Sequence, residues 1–255
     1  MLENRVTWER IRDWRGPEPL LALTAYDYPT ARLLDEAGAD ILHVGDSLGM
    51  TVLGYADTTA VTLGDMAHHT RAVARARRRA LVTADLPCRT YESPSAAVDN
   101  ARVLLDAGAD GVKLEGGEEI LPQIRAVLAA GIPVLGHLGL LPQHIREEGG
   151  VYRKKGRTDA EVTRLLRDAA LLQEAGVFAI VLEAVVGEVA AAVTKSLTVP
   201  TIGIASGAGM TGQIRVIHDV LGLTPWLAFP HVKPQVNLAA EIKTAVQKLR
   251  REISR

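Results

Sequence analysis

The stretch DEAGADILHVGDS, residues 35–47, ends a helix, turns tightly and enters an apolar run of strand length. Glycine after alanine suits this joint, because it takes the left-handed conformation that follows a helix C-terminus without a Cβ penalty. The frame recurs as LDAGADGVKLEGG (105–117), LAAGIPVLGHLGL (128–140) and QEAGVFAIVLEAV (173–185). The repeating unit is therefore helix, tight turn, buried strand.

Three more apolar runs read as strands without the Ala-Gly lead-in: LLALTAYD (20–27), RALVTADLP (79–87) and VPTIGIASG (199–207). A short eighth strand is expected around IRVIHDVLG (214–222). The intervening helices carry their own signals. Ser93-Pro94 offers an N-cap with proline at the first helical position, and Thr158-x-x-Glu161 has the form of a capping box. Ala97, Val98, Ala101, Leu104 and Leu105 form one apolar stripe at helical spacing, and Val162, Leu165, Leu166 and Ala169 form another.

Near-continuous apolar strands alternating with amphipathic helices imply a parallel sheet covered by helices. About eight units in 255 residues predict a closed α/β fold, the (β/α)8 TIM barrel, with an open doubly wound sheet as the alternative. With no linker or low-complexity tract, residues 1–255 are expected to form a single barrel domain. MLENRVTWERIRDWRG supplies a short N-terminal helical extension.

Composition narrows the class of partner. Hydrophobic residues make up 47% and charged residues 23%, which suits a globular chain with a sizeable core. A formal net charge of -1 argues against general affinity for nucleic acid or anionic membrane and points to a small-molecule partner. Cys88 is the only cysteine, so neither an intramolecular disulfide nor a cysteine-rich metal site is available. The N-terminus lacks the apolar core of a signal peptide, and no apolar run has membrane-spanning length, so a cytoplasmic location is expected.

In a parallel barrel, chemistry sits where strands end and βα loops begin. Asp46 ends ILHVGD, Asp85 ends LVTAD, Lys113 and Glu115 end GVKLE, His137 ends PVLGH and Glu183 ends AIVLE. A lone carboxylate at such a point is commonly a helix cap or loop acceptor. Five strand ends filled in this way argue for a site. Lys113 and Glu115, two apart, share one face of a strand. Asp46, Asp85 and Glu115 come from consecutive strands and suit a hard cation, with Mg2+ the first choice. Glu183, across the barrel from Asp46, is placed to act as a base.

These residues lie within blocks that resemble the ketopantoate hydroxymethyltransferase family: LTAYDY (23–28), VGDSLGMTVLGY (44–55), HHTRAV (68–73), ADLP (84–87), VKLEGG (112–117), GHLGL (136–140), VLEAV (181–185) and TGQIRVIHD (211–219). The resemblance covers nearly the whole chain. It implies a (β/α)8 barrel, often a homo-oligomeric decamer, that transfers a hydroxymethyl group from 5,10-methylenetetrahydrofolate to 3-methyl-2-oxobutanoate. It further implies an Mg2+ site resembling Asp46 and Asp85 with Glu115, keto-acid contacts resembling Asp46, Ser47, Asp85 and Lys113, and a catalytic base resembling Glu183. His137 is a candidate to hydrogen-bond near the keto oxygen, or else a buried histidine bonded to backbone. The chain departs from the family pattern at GIASGAGMTGQ (203–213), with Ala205 and Ser206 where Gly-Ala is usual and Thr211 where Asp is usual. It departs again at WLAFPHVKP (226–234).

Two other readings compete. Gly45-x-Ser47-x-Gly49 resembles a hydrolase nucleophile elbow and GDSL a lipase motif, but the later histidines, His218 and His231, do not fit the triad pattern. The stronger rival is another Mg2+-dependent 2-oxo-acid enzyme of the phosphoenolpyruvate mutase/isocitrate lyase type, whose lyases carry a catalytic cysteine motif absent here. The basic runs RAVARARRR (71–79) and RKKGR (153–157) are candidate contacts for the polyglutamate tail of folate, or else a helix C-terminal turn and a loop near the mouth.

Overall fold

A computed structural model describes residues 5–227 and 233–254. The strands are β1 (Leu20–Thr24), β2 (Ile41–Val44), β3 (Leu81–Asp85), β4 (Gly111–Glu115), β5 (Val134–Gly139), β6 (Ala179–Glu183), β7 (Thr201–Ile204) and β8 (Gly212–Arg215). They pair in parallel, in sequence order, and close into a barrel. The helices are α1 (Trp8–Arg12), α2 (Tyr28–Glu36), α3 (Leu48–Thr51), α4 (Leu63–Ala76), α5 (Pro94–Asp106), α6 (Leu121–Ala129), α7 (Asp159–Ala175), α8 (Gly187–Ser196), α9 (Ile217–Val220) and α10 (Leu238–Ile253).

The joints behave as their sequence dictates. Gly38, Gly108, Gly131 and Gly176 all adopt positive φ, so all four Ala-Gly pairs end their helices in the same way. Ser93 caps α5 by accepting from Ala96 N. Thr158 caps α7 by accepting from Glu161 N, but the reciprocal half of the box differs: the Glu161 carboxylate accepts from Arg157 N, one residue further back. The eighth strand also differs from expectation. It occupies Gly212–Arg215, and Ile217–Val220, inside the stretch read as strand, is helical.

The inward residues divide the barrel in two along its axis. At the amino ends of the strands Leu20, Ala22, Ile41, Leu81, Leu135, Ala179, Val181, Ile202 and Ile214 pack into an apolar plug, joined by Phe178 and by Val6 and Ile11 of the N-terminal segment. Each Val, Leu, Ile or Phe side chain among them contributes roughly 1.5–3 kcal/mol by leaving water. At the carboxyl ends the inward positions turn polar, and these residues stay buried: Asp46, Asp85, Lys113, Glu115 and His137 are all at most 5% exposed.

Buried and half-buried carboxylates also tie the αβ turns at the amino-terminal face. Asp35 accepts from the backbone N–H groups of Arg78, Arg79 and Ala80; Asp110 pairs with Arg5 and Arg77, and Asp40 with Arg79. This corrects one reading of RAVARARRR: Arg77 and Arg79 are structural partners at the end of the barrel opposite the strand-end cluster. RKKGR lies at the other end, where Lys155 N donates to Ala184 O and Val186 N donates to Lys155 O.

By compactness the chain divides into two units, residues 1–214 and 215–255. The second comprises the turn of α9 and the long α10. Only Ala239 of α10 is buried, while Ile242, Val246, Leu249 and Ile253 form an exposed apolar stripe. Among the described residues no helix is long and apolar enough to cross a membrane.

Candidate active site

Strand register brings the polar residues together. Asp85 is level with Lys113, Glu115 with His137, and Gly139 with Glu183. The Lys113 ammonium is central: Nζ lies 3.2 Å from Asp85 Oδ1, 3.2 Å from Glu115 Oε1 and 2.9 Å from His137 Nδ1. Burial alone would lower the Lys113 pKa, but attraction to Asp85 and Glu115 outweighs it and holds the pKa above its ordinary value, so the side chain is cationic. A donating ammonium makes His137 Nδ1 the acceptor and leaves the ring proton on Nε2. Nε2 points to Glu183, 3.3 Å from its Oε2, yet it makes no hydrogen bond.

The carboxylates are not equivalent. For Asp85, burial is opposed by Lys113 and His43, and together they hold its pKa below the ordinary range. His43 Nε2 lies 3.1 Å from Asp85 Oδ1, and Nδ1 is bonded to Thr83 at 2.8 Å. Asp85 Oδ2 accepts from Asp46 N at 2.9 Å, whereas the buried Oδ1 lacks an aligned hydrogen bond. Asp46 goes the other way: burial, with repulsion from Asp85 and Glu115, pushes its pKa well above the ordinary carboxylate value. Glu115 is held low because Lys113 and His137 overcome its desolvation.

Ser47 immediately precedes α3, at its N-cap position, and its Oγ is 2.8 Å from the Tyr26 hydroxyl rather than an imidazole nitrogen, which removes the nucleophile-elbow reading. Gly49 is required for packing in this turn, since a Cβ there would meet Val61 Cγ2 at 2.6 Å. Glu183 is the most open of the set, with a side chain 20% exposed. The altered loop after β7 is absorbed structurally. Ser206 is fully buried; its Oγ donates to Leu182 O at 2.8 Å and accepts from Val185 N at 2.9 Å, bracketing Glu183. Ala205 takes φ 54, a left-handed conformation costing a non-glycine residue roughly 1–2 kcal/mol. Thr211 Oγ1 accepts from Thr201 N. In the other departure, 226–234, residues 228–232 lie outside the described residues.

Sequence reading missed four residues of this cluster: Tyr26, His43, Tyr91 and Gln143. His43 had a usable signal, an inward strand position two residues ahead of Gly45. Gln143, on the 3₁₀ turn Pro142–His144 after β5, had none.

As a potential cation site the cluster is selective. Among the described residues no three His, Cys, Asp or Glu side chains form a ready-made metal cluster. Lys113 stands between Asp85 and Glu115 and engages both at 3.2 Å. Asp46 and Asp85 are marked out by their crowding: Asp46 N donates to Asp85 Oδ2, the two carboxylates repel, and such an adjacent, sulfur-free pair suits a hard divalent ion.

Fold and site together define a (β/α)8-barrel enzyme, its charged groups gathered at the carboxyl ends of the strands. The sequence model of ketopantoate hydroxymethyltransferase matches residues 5–255, and the chain belongs to that family of hydroxymethyl-transferring enzymes. A relative from Ignicoccus hospitalis, named 3-methyl-2-oxobutanoate hydroxymethyltransferase, is 49% identical over 95% of this chain and 92% of its own. One of the same name from Aeropyrum pernix is 54% identical over 87% and 81%. Among solved structures, a 2,3-dimethylmalate lyase of the PEP mutase/isocitrate lyase superfamily superposes with TM-score 0.62 at 19% identity, covering 96% of this chain and 85% of that one. A phosphonopyruvate hydrolase in complex with oxalate and Mg2+ gives 0.61 at 16%, covering 96% and 99%. These two likenesses establish the fold alone, so the rival group is related to this chain in architecture.

Proposed function

We propose that the chain transfers a hydroxymethyl group from 5,10-methylenetetrahydrofolate to 3-methyl-2-oxobutanoate, through an enolate, giving 2-dehydropantoate for pantothenate synthesis. The observation that carries this reading is the buried His137 Nε2, without a hydrogen bond and beside the accessible carboxylate of Glu183, together with the buried Asp85 Oδ1, which lies between the Lys113 ammonium and His43 Nε2. A buried N–H without an acceptor is costly and points to a missing ligand, and a buried carboxylate edge in the same cluster suits a cation. Their chemistry, a cation-seeking oxygen and an N–H donor, matches the two needs of a 2-oxo acid becoming an enolate.

Glu183 removes the proton from C3 of the keto acid. His137 Nε2–H donates to the keto oxygen as negative charge gathers there. The Lys113 ammonium and the Ser47 hydroxyl, held by Tyr26, orient the substrate carboxylate. Asp46 and Asp85 would hold Mg2+, with Glu115 completing the surroundings through Lys113 and His137. When bound, Mg2+ supplies Lewis-acid stabilisation of the developing charge, worth several kcal/mol. The enolate carbon then attacks the one-carbon unit carried by folate, forming the new C–C bond; over the whole transfer both C–N bonds of the methylene bridge break, tetrahydrofolate leaves, and one water supplies the hydroxyl oxygen. The chain works in the cytoplasm as a homo-oligomer, on small molecules, with no nucleic-acid or membrane partner.

Incubation with 3-methyl-2-oxobutanoate and Mg2+ in D2O, with and without methylenetetrahydrofolate, tests both halves. C3 deuteration without folate and ketopantoate formation with it are expected. Exchange without product overturns the folate donor, and absence of exchange overturns the enolate.

A further inference from the structure

Gln143 is 4% exposed, and its donors and acceptors reach three βα segments. Its Nε2 donates to Asp46 Oδ2 at 2.8 Å and to Leu86 O at 2.9 Å, and its Oε1 accepts from the Tyr91 hydroxyl at 2.6 Å. Its backbone N–H donates to Glu115 Oε2 at 3.0 Å. Both amide protons are used, which fixes the carboxamide orientation. Asp46 follows β2, Leu86 and Tyr91 follow β3, Glu115 ends β4 and Gln143 itself follows β5. The neutral side chain therefore pins the Asp46 carboxylate and the loop after β3, and the backbone N–H of the same residue holds Glu115.

Few side chains can do this. Glutamate would keep the shape but place another anion against Asp46, already crowded by Asp85 and Glu115. Methionine would keep the length but remove the side-chain bonds to Asp46 Oδ2 and Leu86 O and leave the Tyr91 hydroxyl only its longer bond to Glu115 O, in a buried region where each lost bond carries a desolvation penalty. Asparagine is one methylene too short to make the same set of contacts.

We propose that Gln143 is a positioning residue that acts through Asp46: by holding Oδ2 it fixes the rotation of that carboxylate and presents the other oxygen to the cation site, with Tyr91 orienting the amide. The inference rests on the reading of Asp46 and Asp85 as cation-holding residues. Groups that orient a ligating carboxylate typically contribute 10- to 100-fold in metal affinity or activity.

Direct Mn2+ binding, followed by the loss of the free-ion electron paramagnetic resonance signal, tests this apart from turnover. Relative to wild type, Gln143→Met is expected to weaken Mn2+ binding about 10- to 100-fold. It should raise the half-saturating Mg2+ for C3 exchange in parallel and leave KM for the keto acid at saturating Mg2+ nearly unchanged. Tyr91→Phe should shift Mn2+ binding in the same direction by less, and add little in the Gln143→Met background. A folded Gln143→Met protein that binds Mn2+ as wild type does overturns the inference. If that variant fails to fold, Tyr91→Phe decides, and unchanged binding there overturns it equally. Failure of wild type itself to bind Mn2+ overturns the reading of the cation site, and the inference with it.

Discussion

His137 Nε2 lies 3.3 Å from Glu183 Oε2, buried and without a hydrogen bond, while the opposite ring nitrogen is held by Lys113 at 2.9 Å. The ring is thus anchored on one side and open on the other, next to a carboxylate that reaches solvent.

That arrangement separates proton removal from charge stabilisation. Glu183→Gln should lower C3 deuteration of 3-methyl-2-oxobutanoate by roughly 10²- to 10⁴-fold, the usual range for loss of a general base. His137→Phe should lower it by about 10²-fold, as for one lost oxyanion donor. Exchange followed by proton NMR checks both, and wild-type exchange in Glu183→Gln removes it as the base.

Lys113 neutralises Asp85 and Glu115 where water cannot. Lys113→Met should therefore destabilise the fold by about 3–5 kcal/mol, the cost of leaving a buried charge uncompensated. Urea unfolding reads this directly. A change below about 1 kcal/mol would mean that the carboxylates find another partner.

Cation binding should stabilise the folded chain. At an Mg2+ concentration 100 times its Kd the gain is about 2.7 kcal/mol, visible as a rise in Tm. Asp85→Asn should abolish the rise, and EDTA should stop exchange while leaving the far-ultraviolet circular dichroism unchanged, since the apolar plug does not involve the site.

A loop-to-loop contact at Asp57 sets a pH dependence. Hydrogen bonds from Arg146 and Thr59 lower its pKa from 3.8 to about 2. A depressed carboxylate pKa stabilises the fold fully above the unfolded value, and that contribution is lost as pH falls from about 4 towards 2. Arg146 is largely exposed, so solvent screening keeps the contribution within about 1 kcal/mol. Asp57→Asn should flatten this part of the stability profile in denaturant titrations between pH 5 and 2.

The stripe Ile242, Val246, Leu249 and Ile253 on α10 has the spacing of an interhelical seam. The proposed homo-oligomer predicts that a second copy covers it. Val246→Glu with Leu249→Glu should reduce the mass measured by light scattering, and an unchanged mass would exclude this seam from the assembly.

Much of the fold was legible because its signals are local. A helix that stops at Ala-Gly does so within one turn, and an apolar run of strand length follows at once, so residues 35–47, 105–117, 128–140 and 173–185 each carry their own joint. The strand-end charges Asp85, Lys113, Glu115, His137 and Glu183 were visible for the same reason, since each sits at a countable position along its strand. The eighth strand was misplaced because IRVIHDVLG alternates apolar residues in a way that serves strand and helix alike, and chain closure decides between them.

By itself, then, the sequence determined the repeating unit, the barrel it builds and the ring of charged strand ends. How those charges share partners follows from the closed barrel: Lys113 between two carboxylates, His137 turned towards Glu183, Tyr26 on Ser47, and Gln143 on Asp46 from 97 residues away. The physical reason is that secondary structure follows from backbone conformation and burial within a few residues. A hydrogen bond between distant loops depends on barrel register and closure, which leave no periodic mark on the chain.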